Sequence, residues 1–234
     1  MGTGDVSSAA SLFSPVGVGP LRVASRPWMA PLTRGRASMP GHVPNALNAL
    51  SYAQRGHPAR GAGLIIAQAA CVSEEGRGYD ATAGIHTPEQ VRGWKQLTDA
   101  VHAQGGRIAC QLWHVGRVSH TSPQPGGGQP VGPTSVPSRS RTYVDASMER
   151  VPTSVPRALG ADEIPAIVEQ FAHPARCAKE AGFDAVALGR AFISNPDLAH
   201  RFRHGLPLSP WDSATFSGGG AAGYTSYPSL AGGR

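Results

Sequence analysis

The sequence is poor in the features that would tie a chain covalently or anchor it in a membrane. It has three cysteines, Cys71, Cys110 and Cys177. Their odd number and wide spacing form no CxxC or zinc pattern. They therefore exclude a disulfide framework and a cysteine metal centre, and read as reduced, structural thiols of a cytoplasmic protein. No run reaches the ~18 apolar residues that a membrane helix needs. Residues 1–10 lack both a basic start and an apolar stretch, so no signal peptide is expected, and residues 1–11, small and polar, read as frayed. The formal charge is +6 and the pI about 9.7, but the basic residues are scattered. No cluster resembles a nucleic-acid arm, and a solvated basic surface accounts for the excess.

Turn-forming residues, by contrast, are plentiful, with 30 glycines and 21 prolines among 234 residues. The length suits one sizeable domain and approaches the ~250 residues of a complete (β/α)8 barrel. Leu12 to Arg22, broken by Pro15, Gly17, Gly19 and Pro20, predict turns or a short hairpin. Trp28-Met29-Ala30 read as a short buried strand ended by Pro31. Asn45 to Gly56 read as a helix with Leu47, Leu50 and Ala53 on its apolar face. Gly63 to Ala69 form a continuous apolar run, as expected of a strand covered on both faces.

The next helix is the best signalled. Thr87 is a good N-cap, Pro88 stands at the first helical position and Gln90 completes a capping box. Val91, Trp94, Leu97 and Val101 form the stripe, and Gly105 and Gly106 end it. The strand that follows ends in Gln111-Leu112-Trp113, with Gln111 and Trp113 on one face and Cys110 and Leu112 on the other. An amide near the end of a buried strand needs a partner. In parallel α/β proteins that end is where ligands sit, although a neighbouring backbone group would serve the amide equally.

Residues 115–156, rich in Pro, Gly and Ser, are too long for a plain connection and read as a functional or partly disordered excursion, with a short ribbon near 139–144. Asp162 to Ala181 predict a helix facing the core through Ile164, Ile167, Val168, Phe171 and Ala175, with Pro174 inside it. Phe183 to Leu188 predict a fourth strand. Asn195 as N-cap and Pro196 start a last helix ending near Gly205. Strand and helix thus alternate about four times, which argues for parallel strands. Four strands cannot close an eight-stranded barrel. Physical pattern alone leaves a small open α/β sheet or half a barrel.

The chain resembles the Old Yellow Enzyme family of flavin-dependent ene-reductases, of the N-ethylmaleimide reductase-like alkene reductase type. The resemblance rests on Met29-Ala30-Pro31-Leu32-Thr33-Arg34, Gly63-Leu64-Ile65-Ile66, Pro88-Glu89-Gln90-Val91, Gln111-Leu112-Trp113-His114-Val115-Gly116-Arg117, Pro156-Arg157-Ala158-Leu159, Ala181-Gly182-Phe183-Asp184, Asn195-Pro196-Asp197-Leu198 and Gly223-Tyr224-Thr225. These run in family order. The resemblance implies a (β/α)8 barrel with FMN at its C-terminal face and NAD(P)H as reductant. It would set Pro31, Leu32 and Thr33 along the flavin, Ala69 against the ring, Gln111 on its pyrimidine edge, and Gly189 and Arg190 at its phosphate. Tyr79, Trp113 and Arg150 match positions lining the pocket for an activated alkene.

The departures are equally specific. In the family, the strand beginning Ala-Gly-Phe-Asp continues into a pair of histidines, or a histidine and an asparagine, that anchor the substrate. A tyrosine proton donor follows. Here Asp184 runs directly into Ala185-Val186-Ala187-Leu188-Gly189-Arg190, which resembles the family's last strand. The expectation is therefore an α/β chain built as a partial (β/α)8 TIM barrel. It would be one domain over residues 1–234 with about four βα units, an internal deletion near 184/185, and strands 4 to 7 largely missing. His173, His200 and His204 do not stand where the missing groups would. Little turnover is expected, no metal is implied, and open sheet edges favour self-association.

Overall fold

The structure, a computed structural model, describes residues 11–188, 191–210, 215, 221–223 and 225–230. Residues 1–10, Gly189, Arg190 and Tyr224 lie outside the described residues. The chain divides into two compact units, residues 1–187 and 188–234.

The first unit opens with a hairpin. Strands β1 (Val16–Val18) and β2 (Leu21–Val23) pair antiparallel, and Gly19 turns between them at φ +57°. A four-stranded parallel sheet follows, built from β3 (Trp28–Met29), β4 (Leu64–Cys71), β5 (Ile108–Trp113) and β10 (Ala185–Ala187). Its order is β10-β5-β4-β3, so the last strand lies beside the third rather than beside the first. In register, Met29 faces Ile65, Ile65 faces Ile108, and Cys110 faces Val186.

Helices α1 (Ala46–Ala53), α2 (Pro88–Ala103) and α3 (Ile164–Glu180) connect the strands and lie side by side in that order. Helix α2 fulfils its sequence signals. Gln90 N–H donates to Thr87 Oγ1 at 3.3 Å, while Gln90 Oε1 accepts from Thr87 N–H at 3.2 Å. Val91, Trp94, Leu97 and Val101 are all buried, and Trp94 Nε1 donates to the Gly84 carbonyl at 2.8 Å. Strand β4 is covered along nearly its whole length, as its apolar run requires. On the face of β5 away from Ile108 and Cys110, Ala109 joins Val23 and Leu64 in a cluster closed by Val16 and Leu21 of the hairpin. The sheet thus has helices on one face and a hairpin over the lower part of the other.

The outer elements depart from expectation. Trp28 is 43% exposed and Ala30 is exposed, so the first strand is an uncovered edge rather than a buried one. On α1 the buried residues are Asn48, Ala49 and Tyr52, while Leu47 and Leu50 are exposed. On α3, Pro174, Cys177 and Ala178 are buried, whereas Ile164 and Val168 are exposed and Phe171 is half-buried. Neither expected stripe is the face turned to the core: other positions of α1 and α3 are buried, and no described neighbour covers Leu47, Leu50, Ile164 or Val168. Pro174 stays within an unbroken helix.

Asp184 fastens the last strand to its neighbour. Its carboxylate accepts from Ile108 N–H at 2.8 Å, lies 2.9 Å from His102 Nε2 and accepts from Arg107 Nη1 at 3.4 Å. Thr98 Oγ1 donates to the Ala181 carbonyl at 2.5 Å, closing the end of α3.

The excursion over residues 115–156 is ordered. Within and beside it, β6 (Val131–Gly132) pairs parallel with β9 (Arg157–Ala158), and β7 (Arg141–Thr142) pairs antiparallel with β8 (Val151–Pro152). Buried polar groups tie it to the loop after β4: Ser119 Oγ and Gln124 Nε2 both donate to the Arg77 carbonyl, at 2.7 and 2.9 Å, and Thr142 Oγ1 donates to the Gly78 carbonyl.

The second unit contains α4 (Ala191–Ser194) and α5 (Leu198–His204). Helix α5 begins two residues later than predicted, with Asp197 rather than Asn195 as N-cap. Asn195 is occupied elsewhere, because its Oδ1 accepts from Ser209 N–H at 2.7 Å and its Nδ2 donates to Ser194 Oγ at 3.0 Å. Gly205 ends the helix at φ +61°, a conformation that only glycine adopts without strain.

Candidate functional site

The expected site residues that can be placed converge on the C-terminal ends of β3, β4 and β5. They form a lateral row. Ala69 N–H donates to Thr33 Oγ1 at 3.2 Å, Ala69 stands opposite Gln111, and Gln111 stands opposite Ala187 at the end of β10. A register irregularity in β4 between Ile66 and Ala69 makes this possible. It turns the backbone N–H groups of Gln68 and Ala69 toward side chains, Gln68 N–H donating to Tyr52 Oη at 2.7 Å.

The row retains unused hydrogen-bonding capacity. Thr33 Oγ1 accepts from Ala69, which leaves its own hydrogen free to donate. The Gln111 amide is half-buried and makes no side-chain hydrogen bond among the described residues. A nearby backbone group is therefore not what satisfies it. Pro31 is half-buried and Leu32 is 49% exposed.

Aromatic rings stand above the row. Trp113, two residues beyond Gln111, stacks on Tyr79 with centroids 5.6 Å apart and planes 11° from parallel. Tyr143 leans on the other side of the pair, 5.1 Å from Tyr79. Burial raises the Tyr143 phenol above its usual range, with the Tyr79 phenol adding to the effect. The Tyr143 hydroxyl lies near Gly35, two residues past Thr33, 3.8 Å from where a Cβ at that glycine would stand. Arg150 is exposed and makes no ion pair among the described residues, its carbonyl accepting from Arg141 Nη2 at 2.5 Å. The structure thus brings Thr33, Ala69, Gln111, Trp113 and Tyr79 together and leaves Arg150 at the periphery. Gly189 and Arg190 lie outside the described residues.

Tyr143 and Gln68 were not singled out by sequence. Tyr143 is a lone aromatic in a Pro/Gly/Ser-rich stretch, itself a signal of local packing. Gln68 interrupts an apolar strand: its Oε1 accepts from Arg34 N–H at 3.4 Å and its Nε2 is buried without a partner. His114 and His86 likewise each bury an Nε2 without a partner. Burial pushes the pKa of both down. In His114, Nδ1 accepts from Gly116 N–H at 3.0 Å, so the neutral ring carries its hydrogen on Nε2. All three cysteines are unpaired and buried, and burial raises each thiol, so none is poised as a nucleophile. Among the described residues no three His, Cys, Asp or Glu side chains are arranged to hold a metal ion, and no helix is long and apolar enough to cross a membrane.

A flat ligand with polar atoms on its rim suits a row of one free hydroxyl and one free amide beneath stacked rings. Residues 11–188 match the model of the NADH:flavin oxidoreductase / NADH oxidase family. The chain belongs to that family.

Within this flavin oxidoreductase family, the chain is 43% identical over 180 residues to putative 12-oxophytodienoate reductase 2 of Oryza sativa subsp. japonica, a match covering 77% of this chain and 45% of the relative. It is 38% identical over 193 residues to flavin oxidoreductase hxnT of Emericella nidulans, covering 79% and 47%. The chain thus spans about half the length of the curated relatives it matches. The structure of morphinone reductase in complex with tetrahydroNAD superposes with a TM-score of 0.69 at 31% identity, over 94% of this chain and 98% of that one. An old yellow enzyme homologue from Zymomonas mobilis superposes with a TM-score of 0.68 at 25% identity, over 93% and 99%. The Old Yellow Enzyme kinship suggested by the motifs is therefore established, as is the parallel α/β fold.

Proposed function

We propose that this chain holds the flavin-ring half of an FMN-dependent ene-reductase site, one that in a complete family member uses NAD(P)H to reduce activated alkenes. The observation that carries this reading is the Thr33–Ala69–Gln111 row, in which a hydroxyl hydrogen and an amide remain unspent on neighbouring strands. These groups fit the edge of FMN. Thr33 would donate to it, Gln111 would bond the pyrimidine side, Ala69 would give a flat apolar floor, and Pro31 and Leu32 would flank the ring. Gly189 and Arg190 are assigned to the phosphate by the family resemblance alone. When bound, FMN supplies the hydride chemistry. The chain's own residues orient it and present Trp113 and Tyr79 toward an alkene substrate, while Arg150 is assigned to the pocket by the family resemblance alone.

The same reading makes the chain a partial barrel, with an internal deletion near 184/185 that removes most of family strands 4 to 7. The exposed stripe of α3 supports this, since Ile164 and Val168 lack the neighbour that a further βα unit would provide. With the substrate-anchoring pair and the tyrosine donor absent, little turnover is expected. Losing an oriented donor costs ~10²–10³ in rate and losing the general acid ~10²–10⁴. The chain then acts as a flavin-binding remnant. Buried, unpaired thiols support a cytoplasmic setting.

Quenching of FMN fluorescence by the full chain tests the reading. Weak binding is expected, weakened further by roughly two- to tenfold in Thr33→Ala and Gln111→Ala, the loss of one hydrogen bond each. Binding indifferent to both substitutions would overturn the site. NAD(P)H oxidation with added FMN and 2-cyclohexenone tests the second half. Turnover normal for the family, and lost in Gln111→Ala, would overturn the loss of activity.

A further inference from the structure

The two ends of the parallel sheet differ in a way that makes them complementary. At the β3 end, residues 11–73 contain Arg22, Arg26, Arg34, Arg36, Arg55 and Arg60 and no Asp or Glu. All of these arginines are exposed and none forms an ion pair among the described residues. At the β10 end, residues 161–187 contain Asp162, Glu163, Glu169, Glu180 and Asp184 against Arg176 and Lys179. Glu163, Glu169 and Asp184 are paired within the chain, with Arg157, Arg176 and Arg107, while Asp162 and Glu180 form no ion pair among the described residues. One end is wholly basic and the other keeps a small acidic excess.

Both ends also present apolar surface. Trp28 on β3 and Leu47 and Leu50 on α1 are exposed at one end, and Val186 on β10 and Ile164 and Val168 on α3 at the other. The outer side of each edge strand is unpaired among the described residues. Exposed edges and apolar helix faces of this kind invite a further strand and a further helix layer.

We propose that the occupant of both ends is a second copy of this chain, with β3 of each copy beside β10 of the other. The contact joins a basic end to an acidic one and is made twice, so a two-fold pair closes and growth stops. Four strands from each copy complete an eight-stranded parallel ring, a size whose interior side chains can fill. Two copies also supply about the length of one curated relative. The pairing does not rest on the flavin reading. Its strands are short, so most of the affinity resides in the helix faces and the opposed charges.

Sedimentation velocity of the full chain over a concentration series tests this. A dimer is expected, weakened several-fold by raising the salt, because exposed charges are screened. Leu50→Asp spoils one end and Val186→Asp the other, and each alone is expected to be monomeric. An equimolar mixture of the two retains one intact contact and is expected to recover association. Arg55→Glu and Glu180→Lys repeat the design at exposed positions that do not threaten folding, and circular dichroism checks each variant. Val136→Asp, exposed within the excursion, is expected to leave the dimer unchanged. A wild-type monomer, an open-ended polymer, a dimer indifferent to all four edge substitutions, or loss without recovery on mixing would each overturn the proposal.

Discussion

Helix α2 and its flanking helices α1 and α3 are built to the same plan, yet only α2 is finished. Its stripe of Val91, Trp94, Leu97 and Val101 is buried against sheet and helices on either side. Helix α1 buries Asn48, Ala49 and Tyr52 and helix α3 buries Pro174, Cys177 and Ala178, while both leave leucine, isoleucine or valine exposed. An amphipathic pattern therefore states which face a helix offers, and the tertiary context decides whether anything takes it. In a βα repeat, a helix is complete only with a unit on each side, so the ends of an array are its weak points.

The difference is sharpest in substitutions. Trp94→Ala removes a fully buried ring that donates to Gly84 and lies 5.3 Å from Phe183. It is expected to cost about 3–5 kcal/mol, enough to abolish the folded baseline in a urea titration. Asp184→Ala strips the seam between β5 and β10 of its acceptor and leaves Ile108 N–H unanswered. A loss of about 1–3 kcal/mol is expected, with amide exchange accelerated first in residues 185–187. Thr87→Ala removes the cap of α2 and is expected to cost about 1 kcal/mol in the same titration. Leu47→Ala on the exposed face of α1 is expected to change stability by less than about 0.5 kcal/mol under conditions that keep the chain monomeric. A large loss there would break the comparison, because it would mean that α1 is as firmly packed as α2.

The central unit was legible because its signals are local. The capping box at Thr87 and Gln90, the 3.6-residue stripe and the apolar run of β4 all agree with the final structure. The exposed edge at Trp28 was not legible, since a short apolar strand reads the same whether or not a neighbour pairs with it. Asn195 misled for a related reason: a good capping residue was taken by Ser209, fourteen positions away. At the site, motifs located Thr33 and Gln111, but their alignment into a row depends on the irregularity in β4. Nothing in Ala67-Gln68-Ala69 announces that irregularity. The position of β10 beside β5 is likewise a matter of which edge was free, on which local pattern is silent.

The irregularity in β4 has a spectroscopic consequence. Two adjacent amides, Gln68 and Ala69, are shielded by a phenol and a hydroxyl, Tyr52 and Thr33. Their exchange with solvent deuterium is thus gated by side-chain rotation as well as by opening of the sheet. The Ala69 resonance becomes a built-in reporter of Thr33: any ligand that recruits the hydroxyl shifts that one peak and slows its exchange, while the Gln68 peak next to it, answering to Tyr52, serves as the internal reference.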